Sequence, residues 1–201
     1  EGLVDALLYA AQGERVWLQV KDPLWRDIQA CYGILSNGTA VIEMAAAAGL
    51  PRLKDHEKNV LEATTFGVGQ LIKDALKRGC QEFILGLGGS ATNDGGAGAA
   101  AALGIHYLDA AGQIIYSGKD LHTLARIDAS GVVAGLQKAH FTIACDVTNP
   151  LFGPNGAAAI YAPQKGATPD QVDLLDQGLR TLAAVALQAH GLDLQRIPGT
   201  G

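Results

Sequence analysis

The chain has 201 residues, a net charge of −5 at pH 7, 48% hydrophobic residues and 17% charged residues. This length and composition predict a folded protein with a sizeable core and exclude a disordered one. The acidic charge, without a Lys/Arg cluster, argues against a nucleic-acid partner, and no apolar run is long enough to span a membrane. We therefore expect a cytoplasmic protein; the acidic charge says little about a small anionic substrate, and the sequence does not predict an oligomeric state.

The first half of the chain has the pattern of a helix, an antiparallel strand pair and a second helix. Periodic apolar residues predict a helix over 2–11, and apolar runs predict strands over 15–20, 28–35 and 39–44. Asn37 and Gly38 separate the last two strands, which predicts a hairpin with a type I′ turn. A further helix is expected to begin after Thr64 and Thr65.

The second half predicts further strands and helices. The expected strands are 82–85, 105–108, 113–116, 140–145 and 157–161, with 105–108 and 113–116 forming a hairpin and 140–145 buried. Helices are expected over 97–103 and from a Thr168 cap to Gly191, whereas 118–138 is expected to be loop and short helix. Strands interspersed with helices predict an α/β fold.

A glycine-rich loop connects the strand at 82–85 to the helix at 97–103, with six glycines in residues 85–98. Glycines let a backbone approach a ligand closely, and free N–H groups at a helix start bind anions, so the loop predicts a phosphate or carboxylate site. Asp94 is its only charged residue and could bind Mg²⁺ or take a proton from a hydroxyl. The alternative is a purely structural loop in which Asp94 caps the helix. The polar and glycine candidates are Gly88, Gly89, Ser90, Thr92 and Asn93.

A second cluster follows the predicted strand 140–145, where Asp146 and Asn149 stand before Pro150. Charges at the carboxyl ends of strands in α/β sheets often line the ligand crevice, so Asp146 and Asp94 are expected to converge on one ligand. The alternative is a turn in which these side chains bond their own backbone.

Other candidates have less support from their type and spacing. Thr64, Thr65 and Gly67 at a helix start could cradle a second anion or form an ordinary cap. Glu43 lies in an apolar run, where a carboxylate is paired, at a cleft edge or on a solvent face. Lys165 lies in a loop, where a lysine holds a phosphate or, more commonly, is solvated.

Five segments in the same order resemble the bacterial glycerate kinases of type 1. They are VIEMAAA at 41–47, TTFGVGQLI at 64–72, GLGGSATNDGGAG at 86–98, CDVTNP at 145–150 and PQKGA at 163–167. The resemblance runs nearly end to end. It implies an α/β fold with a mixed sheet and flanking helices, like the restriction-enzyme-like domain that is inserted into the flavodoxin-like domain of that family. Residues 1–201 match the inserted domain with short flanks, so we expect a piece of a longer enzyme that is inactive by itself.

The resemblance also implies a reaction, the phosphorylation of D-glycerate by ATP with Mg²⁺, with the 2-phosphate as the expected product. Either Asp94 or Asp146 would then deprotonate the hydroxyl while the other assists Mg²⁺, and the sequence leaves their order open. The other candidate residues would hold anionic oxygens of the substrates. The alternative is a module that binds carboxylate or phosphate without catalysis.

Overall fold

The computed structural model describes residues 2–201. The helices are α1 (Leu3–Ala11), α2 (Ala45–Ala48), α3 (Phe66–Lys77), α4 (Ala97–Ala102), α5 (Ala157–Tyr161) and α6 (Pro169–His190). The strands are β1 (Gly13–Lys21), β2 (Asp27–Leu35), β3 (Ala40–Glu43), β4 (Glu82–Gly86), β5 (His106–Asp109), β6 (Leu124–Asp128) and β7 (His140–Ala144). The predicted α/β fold is confirmed.

The main sheet is mixed, with the strand order β1-β2-β3-β4-β7. Its first three strands are antiparallel, whereas β3, β4 and β7 are parallel. Parallel strands end at the same edge of a sheet. The glycine-rich loop after β4 and the segment after β7 therefore begin side by side.

Helices cover both faces of this sheet. The largest core joins the sheet to α3 through fully buried side chains such as Tyr32, Phe83 and Leu71. On the other face, α1 packs its Val4 with Leu35 and Val41. A second core forms around α6, whose Leu175, Leu179 and Leu182 are buried together with residues of β6 and α5.

The last helix follows its sequence signals closely. Thr168 and Gln171 bond to each other reciprocally at its start, and Gly191 ends it with φ of +67°. α6 has 22 residues, with one face buried in the core and the opposite face exposed to solvent. Among residues 2–201, no helix is long and apolar enough to cross a membrane.

The hairpin between β2 and β3 is confirmed, but its predicted type I′ turn is wrong. Among the described residues only Gln12 and Trp25 combine a side chain with positive φ, so Asn37 does not adopt the required conformation. Instead Leu35 and Thr39 close a three-residue loop, in which Gly38 has φ of +85°. Asn37 Oδ1 accepts a hydrogen bond of 3.0 Å from Thr39 N–H, which stabilises this longer turn.

The hairpin predicted from 105–108 and 113–116 is also wrong in its second arm. The turn forms, because Asp109 Oδ1 accepts bonds from the N–H groups of Ala111 and Gln113. Only an isolated bridge between Leu108 and Ile114 follows, and the strand that pairs with β5 is β6. β6 lies within the segment 118–138, for which the sequence predicts loop and short helix because charged residues interrupt the apolar positions.

Two further strand predictions need correction. Residues 157–161 form the helix α5, since Gly156 caps it and small alanines pack it against α6. β7 is a strand, but all five of its residues are exposed rather than buried. Phe141 stacks on Phe83 at 4.7 Å yet remains 38% exposed, because β7 is at the sheet edge and no other strand of residues 2–201 pairs with its outer side.

Candidate functional site

A cavity of about 590 Å³ is bounded by the glycine-rich loop and by the segment after β7. Thr65 at the start of α3, α5 with the turn that follows it, and residues 200–201 also contribute to its wall. Among the residues singled out from the sequence, those that line the cavity are Thr65, Gly88, Gly89, Ser90, Thr92, Asn93, Asp94, Asp146 and Lys165. Segments far apart in the chain thus meet at one concave surface, which is the usual form of a small-molecule site.

Asp94 is 2% exposed and accepts four hydrogen bonds. Its Oδ2 accepts from the backbone N–H and the hydroxyl of Thr65, at 2.8 and 2.7 Å, and from Gly98 N–H at 3.2 Å. Its Oδ1 accepts from Gly96 N–H at 3.1 Å. Burial raises the pKa of Asp94, while these donors act in the opposite direction. Asp94 therefore joins the starts of α3 and α4.

This arrangement depends on a close approach between the two helix starts. A Cβ at Gly98 would collide with Thr64 Oγ1 and with Phe66 N. Only glycine at this position lets α4 approach α3 closely enough for one carboxylate to bond to both. At the start of α3, where the sequence predicts either a cradle for a ligand anion or an ordinary cap, Thr65 donates to the carboxylate of Asp94.

Lys165 is buried, with 6% of its surface exposed, which contradicts the alternative of a solvated loop lysine. Its Nζ donates to Ser90 Oγ at 3.0 Å and to Thr92 O at 2.5 Å. Burial lowers the pKa of Lys165 to about 8, although the negative charge of Asp94 acts to raise it. The side chain thus ties the glycine-rich loop to the turn before α6.

Asn93 carries an unsatisfied polar atom at the cavity. The residue is 7% exposed, and its Oδ1 is the one buried side-chain oxygen or nitrogen of residues 2–201 without a hydrogen-bond partner. A buried acceptor without a partner costs about 1–3 kcal/mol. A ligand hydroxyl or amine that donates to Asn93 would recover that free energy.

Asp146 follows β7 directly and is exposed where it lines the cavity. It differs from Asp94 in this respect, since Asp94 is fully enclosed and bonded to backbone donors. The described residues contain no cluster of three or more His, Cys, Asp or Glu side chains suited to a metal. Mg²⁺ is commonly bound by one or two carboxylates together with substrate phosphates, and Asp146 fits that donor set.

Four candidates do not line this cavity. Glu43 accepts hydrogen bonds of 3.2 and 3.4 Å from Leu3 N–H and Val4 N–H at the start of α1. Thr64 Oγ1 accepts a hydrogen bond of 3.2 Å from the N–H of Phe66, the first residue of α3. Gly67 packs against the carbonyl oxygen of Lys21, where a Cβ would not fit.

The fourth, Asn149, orders the loop between β7 and α5. Its Nδ2 donates to Asn155 O at 2.8 Å, and its Oδ1 accepts from the Tyr161 hydroxyl at 2.7 Å. Tyr161 itself lines the cavity, and the sequence reasoning missed it because 157–161 was assigned to a strand. Gln164 also lines the cavity and was not predicted, although its position next to the candidate Lys165 could have indicated it.

The chain is similar to known proteins over its whole length. The model of the glycerate kinase family matches residues 1–201. The chain is 45% identical to a glycerate kinase of Bacillus subtilis (strain 168) and 44% identical to a glycerate 2-kinase of Escherichia coli (strain K12), with 100% of the chain and 53% of each relative covered.

A crystal structure assigned to glycerate kinase 2 from Salmonella typhimurium LT2 is similar in fold, with a TM-score of 0.97 and 43% identity. The match covers 100% of this chain and 54% of that one. The chain therefore spans about half the length of the relatives that it matches.

Proposed function

Because this chain belongs to the glycerate kinase family, we propose that it supplies the substrate-binding half of an enzyme that phosphorylates D-glycerate with ATP, giving 2-phosphoglycerate. The observation that carries the proposal is the meeting of a glycine-rich loop, a buried lysine and an exposed carboxylate at one cavity. Transfer of a phosphoryl group needs positioned anion donors and a group that accepts the proton of the attacking hydroxyl. The cavity offers both.

The anion donors belong to the glycine-rich loop and to the turn before α6. Gly88 and Gly89 line the cavity with backbone, and a Cβ at Gly88 would meet nothing within 4 Å, so ligand oxygens have room to approach. Ser90 and Thr92 lie beside Lys165, which supplies a positive charge. This set suits the carboxylate of glycerate or a phosphate of ATP.

The two aspartates have different parts in this proposal. Asp94 is committed to four donors and holds α3, α4 and the loop in place. Asp146 is exposed at the cavity, so it is our candidate for the group that orients the attacking hydroxyl and accepts its proton. It could alternatively bind Mg²⁺, which would neutralise charge on the phosphates that ATP brings to the site.

We further propose that residues 1–201 correspond to the inserted domain with short flanks, and that the other unit of the enzyme comes from the segments that its relatives have beyond this chain. The exposure of β7 at the sheet edge supports this view, since parallel strands are commonly buried on both faces. Three free thiols, Cys31, Cys80 and Cys145, together with the use of ATP, favour the cytoplasm.

A coupled ADP-release assay tests the proposed function. The assay contains D-glycerate, ATP and Mg²⁺ and compares this chain with the full-length protein, in which the flanking segments are restored. Turnover in the full-length protein, absent or much slower in the chain alone, supports a kinase whose site needs both units. A folded full-length protein that binds glycerate without turnover would instead support a carboxylate-binding module.

A further inference from the structure

Lys165 has an incomplete set of partners for a buried ammonium group. An ammonium has three N–H donors, and two of them bond to Ser90 Oγ and Thr92 O. Both acceptors are neutral, and no carboxylate of residues 2–201 forms an ion pair with Nζ. A buried charge is normally paired, so Lys165 lacks the partner that its environment calls for.

The charged and titratable groups around Lys165 do not supply that partner. Asp94 acts on it through space, but both oxygens of Asp94 accept bonds from backbone or Thr65 donors. The segment after β7 places an exposed thiol and an exposed carboxylate at the cavity wall, and α5 places a tyrosine hydroxyl there. The lysine that packs against Gly166 is already paired with Asp55. These groups are Cys145, Asp146, Tyr161 and Lys58.

We infer that Lys165 is the counter-ion of the ligand's anionic group, and that the anion enters the cavity together with a proton that Lys165 keeps. The inference rests on the proposed function, since it concerns the same cavity. The ligand chemistry is a carboxylate or a phosphate, which glycerate and ATP respectively supply. Lys165 lines the cavity, and its third N–H is the donor left for such a group.

The proton follows from the electrostatics of the free site. Because burial lowers the pKa of Lys165 to about 8, Nζ is about half neutral at pH 8 when the cavity is free of ligand. An anion beside Nζ favours the charged form, so the neutral fraction takes a proton from the solvent when the anion binds. Binding below pH 7 then takes up almost no proton, whereas binding above pH 9 takes up close to one.

Because ligand binding is coupled to protonation of Lys165, the affinity for the ligand also depends on pH. Above pH 8 the free site must first be protonated, so the dissociation constant rises by up to tenfold for each pH unit. Below pH 7 the affinity is nearly flat with respect to Lys165. D-Glycerate keeps its charge over pH 8–9.5, and inorganic phosphate is mainly the dianion there, so most of the change comes from the protein.

Isothermal titration calorimetry of the full-length protein tests this directly. D-Glycerate and, separately, inorganic phosphate are titrated at pH 6.5, 8 and 9, each in two buffers with different heats of ionisation. We expect an uptake of about half a proton at pH 8 and close to one at pH 9 for the anion that contacts Lys165. Uptake with glycerate alone assigns Lys165 to the carboxylate, and uptake with phosphate alone assigns it to the phosphate.

Matched variants separate Lys165 from the general charge of the region. Lys165→Met keeps length and removes the charge, and should weaken binding of the assigned anion at least tenfold while abolishing the proton uptake. Lys58→Met removes a nearby lysine that pairs with Asp55 outside the cavity, and should leave both unchanged. If Lys165→Met fails to fold, the pH series on the unmodified protein still decides the question.

The inference is overturned if binding of both anions takes up no proton between pH 8 and 9, or if a folded Lys165→Met protein binds them as tightly as the original. Its failure is distinct from failure of the kinase proposal. Turnover without proton uptake removes the role of Lys165 and keeps the kinase. Proton-linked binding without turnover would support the role of Lys165 as counter-ion and contradict the kinase proposal.

Discussion

Thr65 binds Asp94 twice, through its backbone N–H at 2.8 Å and its hydroxyl at 2.7 Å, while the same hydroxyl accepts a bond of 2.9 Å from Ala99 N–H. One threonine and one aspartate thereby join the first turns of α3 and α4 directly below the cavity. Thr65 and Asp94 are 2% exposed each, so solvent does not compete with these bonds. The glycine-rich loop is held by this pair on one side and by Lys165 on the other.

Asp94→Asn should therefore destabilise the protein rather than only slow a reaction. The amide keeps one acceptor oxygen but turns N–H groups toward donors, which leaves buried groups unpaired. We expect a loss of about 2–4 kcal/mol in the free energy of unfolding. Urea unfolding followed by circular dichroism measures this loss. Asp146→Asn is the control, and an Asp94→Asn protein of unchanged stability would contradict the anchoring role.

Alanine substitutions at Gly98 and Gly88 should have different effects, the first on stability and the second on substrate binding. Gly98→Ala should destabilise by more than about 2 kcal/mol, because its methyl group would push α4 away from Thr64 and Phe66. Gly88→Ala should leave the melting temperature nearly unchanged, since a Cβ there meets no atom within 4 Å. It should raise the KM of the full-length enzyme for at least one substrate, because Gly88 lines the cavity. Thermal melts and steady-state kinetics of both variants measure the difference.

Asn93 should matter more with ligand than without it. Its Oδ1 has no partner in the free structure, so Asn93→Ala removes an uncompensated buried acceptor and should change stability by less than about 1 kcal/mol. If a substrate hydroxyl donates to Oδ1, the same variant should weaken glycerate binding by about 10- to 100-fold. Calorimetry on the folded variant checks this, and unchanged glycerate affinity would assign Asn93 a purely structural place.

Lys165 should also leave a signature in stability. Its pKa is lowered from 10.5 to about 8 on folding, so the unfolded chain binds more protons between these values and stability rises with pH there. Between pH 8 and 9.5 this contributes a gain of about 2 kcal/mol, which is lost again as pH falls through 8. Urea unfolding of Lys165→Met and the original protein over this range should differ by that slope. Parallel slopes would show that Lys165 is not a buried cation.

Local patterns in the sequence predicted most of the main sheet and its helices. Apolar runs fixed β1 to β4, and the Thr168–Gln171 capping pair with Gly191 marked both ends of α6. Pairing over distance was harder to predict. Of the five residues of β6 only Leu124 is buried, so hydrophobic periodicity does not distinguish this strand from a loop. The turn at Asp109 instead suggested that residues 113–116, directly after it, would pair with β5.

The sequence predicted most of the residues that line the cavity but not the hydrogen bonds that they form with one another. The strand ends after β4 and β7 correctly indicated that Asp94 and Asp146 border one cavity. The sequence offered Asp94 as a cap of α4, and its bonds from Gly96 and Gly98 fit that alternative, but the bonds from Thr65 were not predicted because Thr65 is 29 residues away. Nor did it reveal that Lys165 is buried, since its side chain forms its hydrogen bonds with the distant Ser90 and Thr92.

The most direct measurement is a ³¹P NMR spectrum of the products formed by the full-length protein from D-glycerate, ATP and Mg²⁺, recorded for the original sequence and for Asp146→Asn. We expect a new phosphomonoester signal that is split into a doublet by the single hydrogen on C2, and we expect this signal to be lost in the variant. No phosphomonoester signal from a folded full-length protein would contradict the proposed kinase. A signal that persists at full rate in Asp146→Asn would remove Asp146 from the chemistry.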